Sequence, residues 1–152
     1  MADLKPILDS IIPRGYKELL GHDIQIEYEK LEDALAQYSR LKPEGFYIEI
    51  DDTVRSASES VKIGLIASEL SHIVEDVTTP AWAILKDRIL YRFSKRYRIL
   101  DERNTDLTTV LRGFGRELYE VMRFAEEHGY PYYREDGLSL RELEILLMKS
   151  DS

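Results

Sequence analysis

The chain has 152 residues, and 43% of them are hydrophobic, which predicts one folded domain over residues 1–152 rather than a disordered chain. Its 29 acidic and 21 basic residues give a net charge of −8, so long-range electrostatics oppose nonspecific binding to nucleic acid or to an anionic membrane. The sequence has no cysteine, which excludes disulfides, thiolate metal ligands and a cysteine nucleophile.

The N-terminal part of the chain alternates between helical and strand patterns. Apolar residues at helical spacing predict a first helix over residues 4–11, ended or kinked by Pro13. Residues 24–28 alternate between apolar and polar side chains, which is typical of a strand. Residues 31–38 again have helical spacing, so we expect a helix there and a βαβ order overall.

Residues 45–76 contain the strand and the helix around which the fold is expected to form. Residues 46–50 alternate between apolar and polar side chains and predict a strand that pairs with residues 24–28. Apolar residues then recur at three- and four-residue steps over 61–77, which predicts a helix with one buried stripe. The opposite face of this helix also carries apolar residues, so we expect it to be covered on both sides.

A basic helix is predicted after the central one. Thr79 and Pro80 have the pattern of a helix start, and helical spacing continues over residues 80–98. Basic residues on this helix contrast with the acidic whole and are either a solvated face or a docking surface for an acidic partner. The candidate partner-binding residues are Lys86, Arg88, Arg92, Lys95 and Arg96.

Three more helices are expected after residue 98. Asp101 can cap the first of them, and Gly113 with Gly115 divides it from the second. A turn at residues 130–133 then leads to a capping box at Ser139 and Glu142, which begins the last helix. The predicted architecture is therefore α+β, helix-rich, with a small sheet.

One motif in the central helix raises the question of a zinc site. In HExxH, two histidines four residues apart hold one zinc ion and the glutamate lies beside the metal-bound water as general base. This chain has Ser68, Glu69 and His72 in those positions. The glutamate and the second histidine are present, and the first histidine is serine.

The order of a strand, this helix and a later ExxxD motif resembles the zincin metallopeptidases, in particular the gluzincin type, over residues 45–106. The ExxxD motif is Glu102 to Asp106. The resemblance implies a zincin-like layout in which Glu69 is the general base and His72 and Glu102 are metal ligands. It also implies that Asp106 orients a ligand histidine from outside the metal shell. Ser68 replaces the first ligand, and a hydroxyl is a poor zinc ligand.

Three functions are compatible with the sequence. The first is a degenerate zincin-like protein, a pseudoenzyme that binds peptide or protein without cleaving it. The second is a weakly active metal-dependent peptide hydrolase that uses Glu69, His72 and Glu102. The third is a non-catalytic interaction module built on the basic helix, in which case Glu69 and His72 are ordinary helix-surface groups and Glu102 and Asp106 favour a helix start.

The remaining expectations concern cofactor, partners and location. No cofactor is expected, apart from zinc if the metal site functions. A peptide or protein partner is expected, but neither nucleic acid nor a membrane. The chain begins without a basic segment followed by an apolar one and has no apolar run of membrane-spanning length, so we expect a cytoplasmic protein.

Overall fold

The computed structural model describes residues 3–41, 44–129 and 137–150, and it confirms the predicted helix-rich α+β class. The described elements follow one another as α1 Leu4–Gly15, β1 Ile24–Glu29, β2 Ala36–Arg40, β3 Phe46–Asp51, α2 Glu59–Thr78, α3 Ala81–Phe93, α4 Lys95–Thr109, α5 Gly115–Glu127 and α6 Leu140–Ser150. No described helix is both long and apolar enough to cross a bilayer.

The strands form a three-stranded sheet in the order β1, β3, β2. The predicted pairing of the first and last strands is confirmed: β1 and β3 are parallel, with Ile24 opposite Phe46. β2 is antiparallel to β3, with Tyr38 opposite Ile48. Ile48 and Ile50 in the central strand are fully buried, so the sheet has its apolar centre in β3.

The helix predicted over residues 31–38 is wrong, because this segment contains β2 and not a helix. The helical spacing of its apolar residues is outweighed by backbone pairing with β3, which includes hydrogen bonds from Asp51 N–H to the Leu35 carbonyl and from Leu41 N–H to the Gly45 carbonyl. A β-hairpin therefore replaces the expected βαβ unit.

The central helix α2 is covered on both sides, as its sequence predicts. Its N-terminus is capped by the Ser58 hydroxyl, which accepts from the Val61 N–H at 3.4 Å. Val61 and Leu65 are buried. At Gly64 the backbone of α5 approaches so closely that an added methyl group would contact the Glu117 carbonyl.

The predicted basic helix over residues 80–98 is interrupted at Ser94. The Ser94 hydroxyl accepts from the Tyr97 N–H at 3.2 Å and caps a new helix, α4. Asp101 is therefore inside α4 and does not cap a helix, which corrects the prediction. Glu102 and Asp106 likewise lie within α4 and not in a first turn.

The C-terminal signals correspond to real boundaries where the structure describes them. Gly113 has a φ of +99°, a left-handed conformation that favours glycine, and it separates α4 from α5. The capping box at α6 is confirmed, because Glu142 N–H donates to the Ser139 hydroxyl at 3.1 Å and Ser139 N–H donates to the Glu142 carboxylate at 3.2 Å. The turn predicted at residues 130–133 lies outside the described residues.

Candidate functional site

A cavity of about 420 Å³ opens between α2, β2, α3 and α4. It falls within the size range of pockets that hold small ligands or side chains. All five residues predicted from the two motifs line it: Ser68, Glu69, His72, Glu102 and Asp106. The tertiary structure thus brings the two motifs together on one cavity.

A buried hydroxyl network fixes how α2 is turned toward this cavity. The Tyr16 hydroxyl donates to the Ala67 carbonyl at 2.7 Å and lies 2.8 Å from the Ser71 hydroxyl. Ser71 in turn lies 2.9 Å from the Thr109 hydroxyl of α4. These bonds connect the residue that follows α1 with α2 and α4 through the side of α2 that carries Ser71. Ser68 and His72 line the cavity.

His72 of α2 and Glu102 of α4 approach each other in the cavity. The His72 Nε2 lies 3.8 Å from a Glu102 carboxylate oxygen. The imidazole stacks on the Tyr38 ring at a centroid distance of 5.8 Å, and Glu102 accepts from the Tyr91 hydroxyl at 2.9 Å. Burial opposes a charged imidazole, but Glu69, Glu102 and other nearby carboxylates outweigh it and raise the pKa of His72.

Glu69 is buried without a partner. Only 8% of its surface is exposed, and among the residues that the structure describes none donates a hydrogen bond to its carboxylate. Burial raises its pKa to about 7, with His72 lowering it and Glu102 raising it by smaller amounts. A buried carboxylate without a hydrogen-bond donor is costly unless the cavity that it lines supplies a partner.

The residues present do not complete a zinc site. Two ligands of one tetrahedral zinc ion are separated by roughly 3.3 Å, so His72 and Glu102 could share an ion after a small shift. Ser68 contributes a hydroxyl where the third ligand, an imidazole nitrogen, would be needed. In the described part of the chain, no three His, Asp or Glu side chains are grouped closely enough to hold a metal ion.

Asp106 lines the cavity, but its hydrogen bond is to the segment before α6. Its Oδ2 accepts from the Leu138 N–H at 2.9 Å, and an added methyl group on Gly137 would collide with the carboxylate. Burial raises the pKa of Asp106 to about 7, although the Leu138 N–H opposes the shift. Within the described ranges, the hydrogen bond of the Asp106 carboxylate goes to this backbone N–H and not to a histidine ring, so the predicted orienting role remains a prediction.

Two further carboxylates in the cavity were missed by the sequence analysis. Glu75 and Asp101 both line the cavity. Burial raises the pKa of both groups, that of Glu75 to about 7. Nearby carboxylates add to each shift, and His72 opposes it. The sequence contains a signal for Glu75, because Glu69, His72 and Glu75 follow one another at three-residue steps and so share a helix face.

The five basic candidate residues are exposed and lie on two helices instead of one. Only Arg88 lines the cavity. On α3 an apolar stripe faces solvent: Trp82 is 73% exposed, Leu85 63% and Ile89 52%. The helical spacing of this stripe was predicted, and its outward orientation was not.

Comparison with known proteins assigns no relationship: no protein-family model, curated protein or solved structure matches the chain. Function therefore has to be inferred from the cavity itself.

Proposed function

We propose that the protein binds an extended peptide in a degenerate zincin-like cleft and does not cleave it. The observation that carries the proposal is the meeting of both motifs, with Ser68 in place of a ligand, on one cavity beside a sheet edge. No step of this function passes through a metal ion.

The edge of β2 offers a place for the peptide backbone. Antiparallel strands exchange hydrogen bonds at every second residue. The backbone bonds at Leu35 and Leu41 show that the N–H and C=O groups of the odd-numbered residues face β3. The backbone groups of Ala36, Tyr38 and Arg40 therefore face outward, and no described strand pairs with them. Ala36, Gln37 and Tyr38 also line the cavity. A peptide added to this edge would direct alternate side chains toward the cavity.

Two alternatives remain. A weakly active metal-dependent hydrolase is supported by the 3.8 Å approach of His72 to Glu102. An interaction module on α3 and the start of α4 is supported by the exposed stripe at Trp82, Leu85 and Ile89, whose basic surroundings suit an acidic protein.

The proposal is tested by removing one outward N–H from β2. Ala36→Pro deletes a donor on the free edge and leaves the bonds to β3 in place. We expect peptides from a labelled, capped panel to bind the parent, to bind Ala36→Pro about tenfold more weakly, and to be recovered intact. Fluorescence anisotropy measures binding, and mass spectrometry measures cleavage.

Ala36→Val is the matched control, because it changes the same side chain and keeps the N–H. Equal weakening by both variants would indicate a packing effect and count against strand addition. Binding that survives Ala36→Pro but is lost on Lys86→Glu with Lys95→Glu would assign the activity to the α3 surface.

A further inference from the structure

We propose that the cavity takes the guanidinium side chain of an arginine in the bound peptide, an inference that rests on the proposed peptide binding and adds its specificity. The cavity is strongly acidic. The positive side chains among its described lining residues are Arg88 and, when protonated, His72. Its described lining carries seven carboxylates: Glu69, Glu75, Asp76, Asp87, Asp101, Glu102 and Asp106.

Some of these carboxylates already have donors within the protein. Asp76 accepts from the Tyr38 hydroxyl at 2.9 Å and lies 3.7 Å from the Arg40 Nε. Glu102 accepts from the Tyr91 hydroxyl and Asp106 from the Leu138 N–H. These groups are parts of the cavity wall.

Glu69, Glu75 and Asp101 are different. Among the hydrogen bonds of the described residues, none has the carboxylate of Glu69, Glu75 or Asp101 as acceptor, and Glu69 is more than nine-tenths buried. A ligand that brings several N–H donors and a positive charge would satisfy all three. The buried, unpartnered Glu69 is the independent sign that the acidic cluster is a binding site.

The spacing of the carboxylates favours an organic cation over a metal ion. A metal ion needs at least three donors within about 2–2.6 Å of one point, and the described residues supply no such group. A guanidinium is planar and carries five N–H donors over a wider area, so it can reach carboxylates that do not converge.

The cavity also has the shape and surfaces for such a group. Its volume of about 420 Å³ exceeds that of a single side chain and leaves room for water. Tyr38 and Tyr91 contribute aromatic rings to its wall, and guanidinium groups stack on such rings. The free edge of β2 beside Tyr38 would hold the peptide backbone while the arginine side chain extends inward.

The experiment compares a capped alanine peptide with one central arginine to the same peptide with citrulline, which has nearly the same shape and no charge. Calorimetry is carried out at neutral pH in the presence of EDTA. We expect the arginine peptide to bind the parent at least about tenfold more tightly. Glu69→Gln should reduce that preference severalfold while the citrulline peptide binds as before.

Glu59→Gln is the control, because it removes the same charge from the same helix roughly 15 Å from Glu69. Glu75→Gln is a second cavity variant, and circular dichroism checks the fold of each. Equal binding of the two peptides to the parent would overturn the arginine inference and leave peptide binding intact. If neither peptide binds, both proposals fail, and an equal effect of Glu59→Gln would assign the preference to net charge.

Discussion

Ser68 lies one helical turn before His72 on the part of α2 that lines the acidic cavity. Its neighbour Glu69 is buried, and Ser68 itself is half-buried. A histidine at position 68 would stand four residues before His72, the spacing at which two imidazoles hold one zinc ion. This one residue distinguishes the two zincin-based functions.

We expect the Ser68→His variant to bind zinc and the parent protein to bind it weakly or not at all. The added imidazole joins His72 and Glu102 to give three ligands, with Glu69 beside the open position. Zinc content after dialysis is measured by atomic absorption, and hydrolysis is measured with a generic unfolded protein.

The double variant Ser68→His with His72→Ala is the control and should lose the zinc. A folded Ser68→His protein that gains no affinity for zinc would count heavily against the zincin resemblance. Stoichiometric zinc in the parent, lost on His72→Ala, would instead support the hydrolase alternative.

Among the elements, α2 and α5 pack most closely at Gly64. Gly64 faces α5, where the Glu117 carbonyl and the Val121 side chain occupy the space that a methyl group on Gly64 would need. That methyl group would lie 2.6 Å from the Val121 Cγ2. A backbone carbonyl in a helix cannot move aside as a flexible side chain can.

Gly64→Ala tests this contact because two effects oppose each other. Alanine is the better helix former by about 1 kcal/mol, whereas overpacking in a close contact costs about 1–3 kcal/mol. We expect the clash to dominate and the free energy of unfolding to fall by about 1–2 kcal/mol, measured by urea denaturation.

Ser60→Ala is the control on the same helix, since Ser60 is exposed and the change also favours helix. It should leave the free energy of unfolding within about 0.5 kcal/mol of the parent value. A stabilised Gly64→Ala protein would mean that α5 does not approach α2 as closely as the structure has it.

At the scale of the whole molecule, two groups of carboxylates make stability depend on pH in opposite directions. Burial raises the pKa of Asp106 to about 7, so its contribution is present at low pH and is lost as the pH rises through 7. The Arg112 guanidinium lowers the pKa of Glu18 to about 2, so its contribution is present at neutral pH and is lost as the pH falls from 4.5 toward 2.

We therefore expect the free energy of unfolding to rise as the pH falls from about 8 to about 5 and to decline below about 4.5. Urea denaturation at a series of pH values measures this profile. Asp106→Asn should flatten the upper limb, because the amide can still accept from the Leu138 N–H and does not titrate.

Glu18→Gln should leave the upper limb unchanged and flatten the acid limb, although only modestly because the Glu18 side chain is 43% exposed and its ion pair is screened by water. If the free energy of unfolding of the parent increases steadily from pH 5 to pH 8, the conclusion that burial raises the pKa of the cavity carboxylates is wrong.

Features that depend on neighbouring residues could be predicted before the fold was known. The alternation in 24–28 and 46–50, the helical period over 61–77, the break at Gly113 and the capping box at Ser139 were predicted and are present. Each depends on side-chain period, backbone conformation or a cap within a few residues, and these act locally. The SExxH and ExxxD motifs were likewise visible in the sequence alone.

The tertiary structure decided what depends on residues far apart in the chain. Residues 36–40 form a strand because β3 supplies their backbone partners. Trp82 faces solvent because the packing of α3 leaves this face of the helix uncovered. The approach of His72 to Glu102 and the burial of Glu69 without a donor depend on how α2, α3 and α4 pack around one cavity. Helical period identifies a face of a helix, but only packing determines whether that face meets the core, solvent or a charged cavity.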